Sequence, residues 1–105
     1  MTSRLHPLFE SDVMEAEGWL IERSARWATD FDEAVKAGLH AIVLDPRFFP
    51  RTEDGPARIE TREYYIKRFE YRLIYSLQMD ELIVLALIHA RRRPGSWTIR
   101  LKELR

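Results

Sequence analysis

Two hydrophobic rhythms divide the chain on either side of residues 45–57. Before that stretch the apolar positions recur every three or four residues; after it they alternate. Trp27, Phe31, Ala34, Val35, Leu39, Ile42 and Val43 follow the helical spacing most closely, which predicts a helix with those residues in the core. Ser24 is placed to cap it, and Asp45-Pro46 ends it. Upstream, Asp12 and Glu15 stand three apart, as in an N-terminal capping arrangement. Val13, Met14, Trp19, Leu20 and Ile21 then mark the apolar side of a helix running from Asp12 to about Arg23. Gly18 interrupts it and reads as a point of close packing against a neighbour. Joined at Ser24, the two helices predict an antiparallel hairpin. Residues 3–9, "SRLHPLF", predict a short first strand that Pro7 confines to an edge or an end.

Residues 45–57, "DPRFFPRTEDGPA", hold three of the five prolines and read as a loop. Neither half of the chain closes a core alone, so the loop is expected to lie inside a single domain, 1–105. Strands are expected over 62–67, over 71–77 and over 82–90, with a tight turn at Met79-Asp80. The second alternates Tyr71, Leu73, Tyr75 and Leu77 with Arg72, Ile74 and Ser76. "LIVLALIHA" is apolar on both faces, as in a central strand. Short strand, helical hairpin and three antiparallel strands make an α+β fold with the helices on one face of the sheet.

Composition narrows the picture. The chain has 105 residues, 46% hydrophobic and 32% charged, as expected of a globular protein. There are no cysteines, which excludes disulfides and thiolate zinc sites. No apolar run is long enough to span a membrane, and "MTSRLHPLFESD" lacks the apolar stretch of a signal peptide, so a cytoplasmic location is expected. The formal net charge is zero but unevenly spread. Residues 1–54 carry 6 Lys and Arg against 11 Asp and Glu, and residues 55–105 carry 11 against 6. An acidic side and a basic side follow. The two-faced apolar strand also predicts that the free chain is marginally soluble or self-associates, as a homodimer.

The chemistry concentrates in "LIHARRRPGSW", residues 87–97. With the helices on one face, Lys67, Arg68, Arg72, Arg91, Arg92 and Arg93 are expected to converge on the open face and its rim. Arginine forks suit phosphates and carboxylates, although a solvated basic rim gives the same pattern. His89 reads either as a general base or as a hydrogen-bonded structural histidine. His6 and His40 are too far from it in sequence for metal-ligand spacing, and no phosphate-binding loop is present, so no metal and no cofactor are expected. Trp97, after Pro94-Gly95, is expected to pack on the core or its rim. The tail "TIRLKELR" reads as a frayed helix or an extra strand.

The order of elements, "YRLIY" and "LIHARRRPGSW" resemble the ParE/RelE superfamily of bacterial toxin–antitoxin toxins. In the ParE branch the last strand typically ends in a His-Gly-Arg-Arg-Asp-Pro run followed by an aromatic. His89, Arg91, Arg92, Pro94 and Trp97 match it, while Ala90 and Arg93 depart from it. The resemblance implies a plasmid-stabilisation toxin that inhibits DNA gyrase without hydrolytic residues of its own. It also implies a cognate antitoxin, a small DNA-binding protein of ribbon-helix-helix or similar type with an acidic C-terminal arm. The surface for target and antitoxin would include Lys67, Arg68, Arg72, His89, Arg91, Arg92, Arg93 and Trp97. RelE-like members instead cut mRNA on the ribosome, which would assign catalysis to Lys67, Arg72 and Arg91. Tyr65 and Trp97 then stand where such an enzyme has a lysine and a tyrosine, and an indole does not exchange a proton as a phenol does. A third reading is a non-toxic member that only binds its partner. The missing pair and the zero net charge favour the gyrase inhibitor over the ribosome-directed enzyme.

Overall fold

The computed structural model describes residues 1–104. Strand β1 (Thr2–Leu5) leads into helices α1 (Phe9–Ile21) and α2 (Ala25–Leu44), and strands β2 (Glu60–Ile66), β3 (Tyr71–Gln78) and β4 (Glu81–His89) follow. A 3₁₀ turn, Thr98–Leu101, lies in the tail. The strands form one mixed sheet in the order β1-β4-β3-β2, with β1 parallel to β4 and the other pairs antiparallel. The α+β arrangement expected from the periodicities is present.

Local chemistry sets the boundaries. Ser24 caps α2, its hydroxyl accepting from the Trp27 N–H at 3.2 Å. Met79 and Asp80 both take positive φ, the conformation of a two-residue turn between right-twisted strands. α1 begins at Phe9, three residues before the expected Asp12, and Asp12 is not its cap. β1 stops at Leu5 because His6-Pro7 turn the chain away.

The helical stripes are also shifted from those expected. α1 buries Phe9, Ala16 and Leu20, and leaves Met14, Trp19 and Ile21 exposed. α2 buries Ala28, Phe31, Val35, Gly38 and Ile42, a strict three-four run that leaves Trp27 and Val43 outside. Gly18 marks no close packing, since nothing lies within 4 Å of a Cβ built there.

One core fills the space between the helical hairpin and the sheet. It joins Phe31, Val35 and Ile42 to Leu73, Tyr75, Leu77, Leu82, Val84 and Leu87. The opposite face, expected to be open, carries a second core: Ile74, Ile83, Leu85, Ala86 and Ile88 pack under Trp97, with Leu101 and Leu104 beside it. Tail residues 94–104 therefore cover the face that the helices leave. Residues 82–88 of β4 are buried throughout. The two-faced apolar strand is satisfied within the chain, which removes the reason for expecting self-association through it.

Candidate functional site

β1 accompanies β4 only from Glu81 to Val84. The His6 N–H makes one further bond to the Val84 carbonyl, 2.8 Å long, and the chain then departs. A groove of about 1080 Å³ opens where the strand would have continued, with α1 on one side and the tail on the other. Glu15, Trp19 and Leu20 of α1 form one wall, with Glu22 just past the helix end, and Trp27 of α2 joins them. Phe69, Tyr71, Leu87 and His89 line the sheet side, while Arg68 and Arg92 supply positive charge at the rim. Trp19 and Trp27 are 55% and 48% exposed, a large apolar surface for two side chains left in water. The Arg23 guanidinium stacks over the Trp19 ring at 3.5 Å and donates to the Trp19 carbonyl. Edge-on aromatic contacts tie the groove to the core: Phe31 meets Tyr71 at 5.1 Å, and Tyr71 meets His89 at 5.2 Å. Burial, with the Glu15 carboxylate adding to it, raises the Tyr71 hydroxyl above its ordinary pKa.

The edge of β4 beside the groove is held by two side chains instead of a strand. The Leu87 N–H donates to Asp12 Oδ2 at 3.0 Å, and Arg100 Nη1 donates to the Leu85 carbonyl at 2.9 Å. Asp12 and Arg100 bond each other in a two-pronged ion pair, which raises the Arg100 pKa above its ordinary value. The capping motif read at Asp12 is thus a main-chain mimic for β4. His6, buried beneath the tail, accepts the Leu8 N–H on Nδ1, and its Nε2 lies 3.2 Å from Glu103.

Arg72 lies on the other face of the sheet. Its side chain is 13% exposed and donates two bonds to Asp54 and two to Glu63, all between 2.8 and 3.2 Å. Asp54 Oδ2 also accepts the Gly95 N–H and the Trp97 indole N–H, each at 2.9 Å. The guanidinium and these two donors hold the Asp54 carboxyl well below the usual carboxylate range, against the effect of burial. The same contacts push Arg72 above its ordinary value. Two glycines permit the assembly. Gly95 takes φ 77° at the turn after Pro94. The Trp97 ring passes so close to Gly55 that a Cβ there would sit 2.9 Å from the indole and 2.5 Å from Thr61 Oγ1.

The six basic residues expected to converge are divided by the sheet. Arg68 and Arg92 reach the groove, and Arg68 also bonds Asp30. Arg72 belongs to the clamp behind, with Trp97 buried beside it at 2% exposure. Lys67, Arg91 and Arg93 point to solvent outside both. His89 is half-buried at the groove, where its Nδ1 accepts the Arg91 N–H at 3.1 Å. Lys67, Arg72 and Arg91 do not form one cluster. Sequence reasoning missed Asp54, Glu63, Asp12 and Arg100, whose partners lie up to 88 residues away. Trp19 and Trp27 carried a usable signal, because both fall one position off the stripes of small and aliphatic residues. Among the described residues, no group of three or more His, Asp or Glu is placed to hold a metal ion, and no helix is long and apolar enough to cross a membrane.

A helical hairpin thus covers one face of a mixed sheet, and an aromatic groove opens at the sheet's end. A model of the family described as "ParE toxin of type II toxin-antitoxin system, parDE" matches residues 4–94. The chain belongs to that family, and a cognate antitoxin is its implied partner. No curated protein matches the chain.

Proposed function

We infer that the protein is a plasmid-stabilisation toxin that inhibits DNA gyrase in the cytoplasm, silenced when the antitoxin's acidic C-terminal arm occupies the groove at Trp19, Trp27, His89 and Arg92. The observation that carries this reading over mRNA cleavage is the state of Arg72. Four of its five N–H donors are committed to Asp54 and Glu63. A scissile phosphate brought there would meet two carboxylates before it met free guanidinium. Tyr65 and Trp97 add no proton-transfer partner of the lysine and tyrosine type, and Trp97 is buried against Asp54. The groove, by contrast, joins exposed aromatics to unlike charges, the usual make-up of a protein-binding surface. It has no counterpart requirement for catalysis.

Purified gyrase with ATP and relaxed plasmid tests the target. The toxin should block supercoiling or trap cleaved DNA, and the same preparation should leave mRNA intact on programmed ribosomes. Codon-positioned cuts in that mRNA, with gyrase unaffected, would replace this reading by the RelE-like one. Inactivity in both assays, with tight antitoxin binding, would leave a partner-binding member only.

A further inference from the structure

The open edge of β4 defines how the groove is filled. The Ala90 N–H bonds the Glu70 carbonyl on the β3 side, so main-chain groups of Ile88 and Ala90 face β3 and those of Leu87 and His89 face the groove. Two of the four groups facing the groove are occupied: the Leu87 N–H by Asp12, and the His89 carbonyl by the Arg92 N–H. Among the described residues, no group of the chain reaches the other two, the Leu87 carbonyl and the His89 N–H.

That remainder has a direction. An antiparallel neighbour needs both the N–H and the carbonyl of one residue, and neither Leu87 nor His89 has both free. A parallel neighbour needs the carbonyl of one residue and the N–H two further on, which is the pair left over. β1 already runs parallel to β4 and ends where the groove begins.

Resting on the reading that the antitoxin occupies this groove, we propose that its arm docks there as an added β-strand parallel to β4, in line with β1. One arm residue, opposite Ile88, donates to the Leu87 carbonyl and accepts from the His89 N–H. The residues on either side of it then share the face of Leu87 and His89, toward the aromatic groove, and are apolar. Arg92 makes no ion pair among the described residues, and it follows His89 along the strand direction. An acidic residue just beyond the second apolar position meets it. The arm therefore carries an apolar-x-apolar pattern followed by Asp or Glu, held by main-chain bonds in the manner of strand addition.

The test is solution NMR of the complex of toxin and cognate antitoxin, both labelled with 15N and 13C. Scalar couplings across hydrogen bonds should link the His89 N–H to one antitoxin carbonyl, and the Leu87 carbonyl to the N–H of that same antitoxin residue. His89→Pro removes the donor without breaking a main-chain bond inside the chain, and the imidazole contacts to the Arg91 N–H and Tyr71 are lost equally in His89→Ala. It should weaken binding about tenfold beyond His89→Ala, which controls for the imidazole. Shifts at Trp19 and Trp27 without these couplings would mean that the arm docks as a helix, overturning the strand while keeping the groove. Couplings in antiparallel order would also overturn it. Tight binding with no perturbation at either tryptophan would overturn the groove reading itself.

Discussion

Asp54→Ala should destabilise this protein more than its position in a loop suggests. The substitution removes the acceptor of four bonds, two from Arg72 and one each from Gly95 and Trp97. It leaves a guanidinium that is 13% exposed with Glu63 as its sole carboxylate partner, and an indole N–H buried with none. Breaking a buried ion pair from one side costs about 3–5 kcal/mol. Residual exposure screens this pair, so the low end, about 3 kcal/mol, is the working figure. In a chain of this size each kcal/mol moves the melting temperature by about 4–8 °C, so a fall of about 12 °C or more follows. Urea unfolding followed by circular dichroism measures it. Arg72→Met in the Asp54→Ala background should return about 1 kcal/mol or more, because the stranded charge is then gone. A loss under about 1 kcal/mol for Asp54→Ala, or strict additivity with Arg72→Met, would refute the clamp.

Asp54 titrates below its unfolded value, so its contribution is complete above about pH 4 and is lost as pH falls through the folded pKa; the stability gap between wild type and Asp54→Ala should therefore shrink in an acid titration, and a gap unchanged down to about pH 2 would contradict this. Gly18→Ala, in open space on α1, should raise stability by about 1 kcal/mol. Gly38→Ala should lower it by about 1–3 kcal/mol, because its Cβ would stand 2.7 Å from Leu73 and 2.9 Å from the Tyr64 ring. Calorimetry of the two variants checks both signs. Arg92→Ala should weaken antitoxin binding by about 1–3 kcal/mol while Arg93→Ala leaves it nearly unchanged in titration calorimetry, since only Arg92 lines the groove.

The elements were legible because their signals are local. Ser24 bonds a donor three residues on, Met79-Asp80 closes a two-residue turn, and β3 alternates as its faces require. The helical stripes were misread for an equally local reason. Large side chains such as Met14, Trp19 and Trp27 carry the weight in a hydrophobic pattern, whereas burial followed the small Ala16, Ala28 and Gly38 that let helix and sheet approach. The site was less legible because its decisive contacts are not local. Asp54 sits in a loop 18 residues before Arg72 and 43 before Trp97, and no periodicity connects them. The covered second face followed from the same blindness: a tail with one buried tryptophan closed it, and "TIRLKELR" shows no strong pattern of its own. Arg72 looked available for chemistry since a lone arginine on a strand carries no mark of the two carboxylates that bind it.

On this reading the groove at the vacated edge of β4 is the toxin's working surface and the Arg72 clamp is scaffold. Trp19→Ala together with Trp27→Ala tests it most directly, because both rings are about half exposed and leave the cores intact. Binding of this double variant to the cognate antitoxin should be measured by titration calorimetry, with its melting curve taken beside it. The melting temperature should stay within a few degrees of wild type and affinity should fall at least about 30-fold, the loss expected when aromatic anchors are removed. Unaltered affinity in a folded double variant would contradict it.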